Sequence, residues 1–201
     1  IDEKITALAQ EYFSLPEDVK VTTYDGRAYL SGIEKKYDVI MVDAYQDITI
    51  PFQMSSLEFF SMVKEHLKED GVMVVNMNMR GSEEGNINQY LSDTIARVFP
   101  SVYTADVEGS TNRELFASSK DVMETFRENV EKEKNSQLTQ MMSQVGEDLI
   151  PYQAGNYLLT DDKAPVELLG MQVIDDLIRD EVAYYKEIYQ EQGIKGLLNS
   201  L

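Results

Sequence analysis

The stretch Tyr37-Asp38-Val39-Ile40-Met41-Val42-Asp43-Ala44-Tyr45-Gln46-Asp47 constrains the fold more than any other. Five of the six residues from Val39 to Ala44 are apolar, and only Asp43 interrupts them. A continuous apolar run of this length predicts a strand covered on both faces, as in the interior of a parallel sheet. Open α/β sheets place their ligand crevice beyond the carboxyl ends of such strands. Asp43, at that end, either caps the loop backbone or serves chemistry. Tyr45 and Asp47 follow in a loop closed by Pro51.

A second run, Val72-Met73-Val74-Val75 within Gly71 to Met77, predicts another interior strand. Asn76 and Asn78 fall at its carboxyl end, where they line the crevice or bond the loop backbone. Between the runs, Ser55 stands three residues before Glu58, which reads as a capping box. The helix it opens buries Leu57, Phe60, Val63 and Leu67, and Asp70-Gly71 stops it. His66 lies beside Glu65 and near two lysines, and reads as a surface residue.

Upstream, the sequence predicts a helix over Ile1 to Phe13 and a strand over Val19 to Tyr24 that ends in the turn Asp25-Gly26-Arg27. Downstream it predicts a helix over 87–99, stopped by Pro100, then strands Ser101 to Val107 and Arg113 to Ser118 joined by a glycine-containing hairpin. Parallel units ending in an antiparallel hairpin imply a doubly wound α/β sheet with an antiparallel edge. Residues 121–201 read as a helical extension of the 1–120 core, with Met141 and Met142 as core filler. Its long helix, Pro165 to about Gln192 and ended by Gly193, carries an apolar stripe through Val166, Leu169, Val173 and Leu177. Such a stripe packs on the sheet or makes a homodimer seam.

Charge narrows the partners. Among 201 residues there are 36 acidic and 18 basic ones, a net charge of −18. That argues against a nucleic-acid partner and favours a small cationic molecule. The chain has no cysteine and one histidine, so neither disulfides nor thiolate metal sites are available, and no metal is expected. No apolar run approaches the roughly 20 residues of a membrane span, which predicts no membrane contact and a cytoplasmic location. The chain opens at Ile1 in what reads as mid-domain sequence, as expected of a piece of a longer protein.

Several local sequences together resemble the spermidine synthase-like family, within the S-adenosylmethionine-dependent methyltransferase superfamily. They are Ile1-Asp2 leading into a helix, Tyr24-Asp25-Gly26-Arg27-Ala28-Tyr29-Leu30, Tyr37 to Asp43, Ile50-Pro51-Phe52 before Glu58-Phe59-Phe60, and Gly71 to Asn76. Leu159-Thr160-Asp161-Asp162 with Ala164-Pro165-Val166-Glu167 resembles the carboxyl-terminal part of bacterial members. The resemblance implies a Rossmann-like class I methyltransferase sheet. The family's first strand, its glycine-rich loop and its amino-terminal hairpin domain have no counterpart among these residues.

Roles follow residue by residue from the resemblance. Ile1 would be the apolar wall on the adenine of S-adenosylmethionine or its decarboxylated form, with Asp2 beside it at the end of the second strand. Asp25 and Gly26 would form the adenine-contacting turn. Asp43 would accept the proton of the attacking amine, because an ammonium is no nucleophile. Asp47 would hold the substrate's other charged nitrogen, and Tyr45 would offer it a ring face. Asp43 and Asp47 stand four apart, where the family spaces its two loop carboxylates by three.

Three readings follow. The first is a transferase moving an aminopropyl or methyl group to an amine. The second is a non-catalytic Rossmann-like interaction module. A metal-dependent hydrolase on Asp25, Asp43 and Asp47 lacks a nearby histidine to complete a transition-metal site.

Overall fold

The computed structural model describes residues 2–45, 50–78 and 83–200. Its sheet is built from β1 (Tyr37–Val42), β2 (Leu67–Met77), β3 (Ser101–Asp106), β4 (Arg113–Ser118) and β5 (Ile150–Pro151), in the order β1-β2-β4-β3-β5. β1 and β2 run parallel; β4 is antiparallel to both β2 and β3. β3 therefore points the same way as β1 and β2, so the carboxyl ends of three strands meet one rim. The helices are α1 (Glu3–Tyr12), α2 (Gly26–Ser31), α3 (Leu57–Glu65), α4 (Ile87–Val98), α5 (Met123–Lys132), α6 (Ser136–Asp148) and α7 (Val166–Ser200).

One face of the sheet is dry. Val42, Met73, Val75, Leu115 and Ala117 are buried there with Phe60 and Val63 of α3 and Leu91 and Ile95 of α4. Fully burying one such Phe or Leu side chain contributes roughly 1.5–3 kcal/mol. The other face is only partly covered. Val39 is 52% and Met41 73% exposed. A groove of about 290 Å³ lies between Val39, Val74 and Phe116 of the sheet and Phe126, Val145 and Leu149 of the α5–α6 segment.

The doubly wound α/β reading, the helix over 87–99 and the two hairpin strands are borne out. Several finer expectations are corrected. Among the described residues β1 pairs with β2 alone, so it is an edge strand rather than an interior one, and it is not covered on both faces, since Val39 and Met41 stay exposed. Residues 19–24 join no sheet; the chain bends at Val19 and at Tyr24 and pairs with none of the five strands there. The hairpin is not the outermost element, since the two residues of β5 add outside β3. Met141 is 56% exposed rather than core filler, because α6 buries none of its residues.

The ends of α3 differ too. Its cap is Ser56, whose Oγ accepts from Phe59 N at 3.2 Å, whereas Ser55 Oγ donates to Phe52 O at 2.8 Å. Glu58 is drawn away from a capping box and accepts from Asp161 N. The helix ends at Glu65, not at Asp70-Gly71, because Tyr37 N donates to His66 O and captures the chain into the β1–β2 ladder. His66 is half-buried rather than a surface residue. Its ring nitrogens stand 2.8 Å from Met62 O and 2.9 Å from Ile33 O, tying the last turn of α3 to the segment before β1.

α7 buries Val166, Leu169 and Val173 in its first turns, packing near α4. Beyond them the stripe stays open, with Ile178 and Val182 exposed. Gly193 breaks the helix with φ 65°, a left-handed value that glycine adopts without a Cβ clash, and a further helical segment follows to Ser200.

Candidate active site

The rim where β1, β2 and β4 meet is polar. Asp43 leaves the end of β1 exposed, and its Oδ1 accepts from Asn76 Nδ2 at 3.1 Å. Asn112 Nδ2 in turn donates to Asn76 Oδ1 at 3.0 Å. Asn76 lies directly opposite Glu114 in the β2–β4 register, so the two side chains share a face. Asp43, Asn76 and Glu114 thus form one polar row across three strands. The Asn76 side chain thus bonds two other side chains, those of Asp43 and Asn112, rather than the loop backbone.

The row carries its own electrostatics. Burial pushes the Glu114 carboxyl up, and the neighbouring charge of Asp43 adds to it. A carboxyl that titrates higher folded than unfolded contributes stability that is full below the unfolded pKa and lost as pH rises through the folded one. Glu114→Gln therefore raises the melting temperature of the intact protein at neutral pH, and the gain fades in acid. Thermal melts across the range check this; a variant less stable than the parent at neutral pH contradicts it.

Tyr45 is fixed by the backbone of β2. Its hydroxyl donates to Asn76 O and accepts from Asn78 N at 2.7 Å, and its ring packs on the core. Burial pushes the hydroxyl up to about 12, against the Asn78 N–H and with help from the charges of Asp43 and Glu114.

The second half of the site is the start of α2. Asp25 caps that helix, its Oδ1 accepting from Ala28 N at 2.8 Å. One carboxylate oxygen is used by this cap. A methyl placed on Gly26 would stand 3.5 Å from Met54 Cε, an ordinary contact. Arg27 Nη1 donates to Gln53 O at 2.9 Å. The Asp25–Gly26 turn therefore abuts the end of the loop that begins at Asp43. Neither Asp25 nor Asp43 forms an ion pair with lysine or arginine among the described residues. Asp2 caps α1 through Lys4 N at 2.8 Å and is exposed. Ile1 and Asp47 lie outside the described residues.

Sequence reasoning missed Glu114 and Asn112. The alternation in Arg113 to Ser118 marks a strand, but only the β2–β4 register puts Glu114 across from Asn76. It also missed the partner of Arg27, Asp161, which accepts both guanidinium nitrogens at 2.6 and 2.7 Å. That ion pair holds the Asp161 carboxyl below its usual range. Among the described residues no group of three or more carboxylates and histidines converges as a metal site would require, and no helix is long and apolar enough to cross a membrane.

Residues 1–108 match the spermine/spermidine synthase domain. Over its whole length the chain is 51% identical to a probable polyamine aminopropyl transferase of Bifidobacterium longum, of which it covers 49%. It thus spans about half the length of that relative. Human methyltransferase-like protein 13 in complex with SAH has the same fold, with TM-score 0.56 at 23% identity over 73% of this chain and 67% of that one. A spermidine synthase in complex with the transition state analogue AdoDATO aligns with TM-score 0.51 at 19% identity, over 60% of this chain and 45% of that one. The fold is that of the class I methyltransferase-like proteins. On the match through residue 108 and the identity sustained along the full chain, this protein belongs to the spermine/spermidine synthase family.

Proposed function

We propose that the intact protein transfers an aminopropyl group from decarboxylated S-adenosylmethionine to a small amine, with Asp43 as the base. The observation that carries this reading is an exposed carboxylate at the end of β1 that makes no ion pair among the described residues, in one row with Asn76 and Glu114. The amine nitrogen attacks the carbon next to the sulfonium sulfur. A C–N bond forms, the C–S bond breaks, and its electron pair leaves on sulfur as a neutral thioether. Asp43 holds the cationic amine and accepts the proton it must lose. Asn76 Nδ2 fixes one carboxylate oxygen of Asp43 and leaves the other for the amine. Glu114 and Asp47 supply further negative charge for a second nitrogen.

The nucleoside would lie against the Asp25–Gly26 turn, which abuts the same loop through Met54 and Gln53. A carboxylate there can accept from the exocyclic amine of adenine. The outer edge of β1 bears no ladder among the described residues. A further parallel strand with a glycine-rich loop would extend the sheet at that edge and hold the rest of the nucleoside.

Calorimetry of the intact protein tests the reading, with decarboxylated S-adenosylmethionine and S-adenosylmethionine as separate ligands, followed by a transfer assay with short diamines. Binding of the decarboxylated form and formation of an N-aminopropyl product are expected. Methylated amine as the product would assign methyl transfer instead. Binding of neither nucleoside favours the non-catalytic interaction module.

A further inference from the structure

We infer that Asp161 is a positioning residue for the nucleoside side of the site, acting through Arg27 on the Asp25–Gly26 turn. The inference rests on the proposed role of that turn in nucleoside binding and adds what holds the turn in place.

The need for an anchor is physical. α2 has six residues, and a helix that short does not persist by its own hydrogen bonds. Asp25 caps it, but a cap is itself only as fixed as the helix it serves. Arg27, in the first turn, reaches away from the helix. Its Nη1 donates to Asp161 Oδ1 at 2.7 Å and its Nη2 to Asp161 Oδ2 at 2.6 Å, across 134 residues of sequence. Nη1 also donates to Gln53 O at 2.9 Å. Parallel fork-to-carboxylate bonds fix direction as well as distance, which a single lysine contact does not.

Asp161 is held independently of Arg27. Ser56 Oγ, at the α3 cap, donates to Asp161 Oδ1 at 2.5 Å, and Asp161 N donates to Glu58 Oε2 at 2.9 Å. Two residues earlier, Leu57 N donates to Leu159 O and Leu159 N to Thr94 Oγ1, each at 2.9 Å. Thr160 and Lys163 close a tight turn with reciprocal backbone bonds, which places Asp161 on its corner. The carboxylate is thus a fixed post, and Arg27 is the tie to it. An exposed ion pair on a mobile surface contributes little. Here the Arg27 side chain is 22% and that of Asp161 41% exposed, and what sets the pair apart is that both partners have further bonds.

Because Arg27 also holds Gln53 O, one tie spans both halves of the site. It sets the Asp25–Gly26 turn against the end of the loop that leaves Asp43. Asp161→Asn keeps the side chain's size and removes the charge and one acceptor of the fork. Arg27→Lys keeps the charge and removes the fork.

The test uses the intact protein with decarboxylated S-adenosylmethionine and S-adenosylhomocysteine as calorimetric probes. Asp161→Asn and Arg27→Lys each weaken binding of both probes about tenfold, and the two together are no worse than the weaker single variant. KM for the amine at saturating nucleoside stays unchanged in Asp161→Asn, which leaves the Arg27–Gln53 bond in place. Asp162→Asn, which removes the same charge one residue along, binds as the parent does. Parental nucleoside affinity in Asp161→Asn overturns the inference. If melts show that variant unfolded, Arg27→Lys decides, since it leaves the post intact, and parental affinity there overturns the inference equally. If Asp25→Asn does not weaken binding, the nucleoside role of the turn fails and the inference falls with it. If Asp25→Asn weakens binding and the Asp161 and Arg27 variants do not, only the positioning role fails.

Discussion

Asp43→Asn lowers kcat for group transfer in the intact protein by about 10²–10⁴-fold, the usual contribution of a positioned base. The substitution keeps the shape of the side chain. Its carbonyl can still accept from Asn76 Nδ2, so the row with Asn76 and Asn112 persists. Asp43 is exposed, and an isosteric exchange there changes stability by no more than about 0.5 kcal/mol. What is lost is the capacity to take a proton and the charge that holds an ammonium. KM for the amine rises as well, whereas nucleoside affinity, which we propose is set at the Asp25–Gly26 turn, does not change. Single-turnover rates with parent and variant at saturating nucleoside make the measurement. Parental turnover in a folded Asp43→Asn variant removes the base role.

The second large effect is on stability, at Asp93. This residue sits within α4 at 1% exposure, where a charge is costly unless it is hydrogen-bonded. Its Oδ1 accepts from Tyr152 Oη at 2.6 Å and Gly155 N at 3.0 Å, and its Oδ2 from Tyr157 N at 2.9 Å. Burial and this carboxylate hold the Tyr152 hydroxyl in its protonated, donating form. Asp93→Ala leaves the hydroxyl and two backbone N–H groups without their acceptor. The three donors are part-buried and water takes up some of the lost bonding, so a loss of about 1–3 kcal/mol in total is expected. Urea unfolding of the intact protein checks it through the midpoint, provided the slope is unchanged.

Gly155 supplies an internal control for the same clamp. A methyl at this position would stand 2.6 Å from Asp93 Oδ2, closer than carbon and oxygen can approach. Gly155→Ala therefore destabilises by pushing the loop off its acceptor. Combined with Asp93→Ala it costs less than the sum, because the atom it strikes has gone. Additive losses would mean that the two residues do not act as one clamp. The clamp also matters for the site, since the segment it pins runs directly to Leu159 and Asp161.

Much of the architecture was legible in local pattern. The apolar runs gave β1 and the carboxyl half of β2, and helical spacing with Pro100 gave α4. The Asp25–Gly26 turn and the polar end of β1 were visible as Asp-Gly and as Asp after an apolar run, but not that Asp25 caps α2. Boundaries that depend on a distant partner were not. Ser55 and Ser56 are equivalent as local capping residues, and Ser56 wins because Asp161 and Leu159 meet the helix start there. The stop of α3 at Glu65 depends on Tyr37 taking the carbonyl of His66.

The sequence by itself determined the kind of most main elements, the acidic character and the family likeness of the motifs, because periodicity and turn chemistry act over a few residues. Tertiary structure decided which of 36 acidic residues matter and how. Asp93 became a buried clamp, Asp161 the partner of an arginine 134 residues away, and Glu114 a neighbour of Asp43 through strand register. A carboxylate's role is set by what surrounds it once the chain is packed, and those surroundings come from elements far apart in sequence.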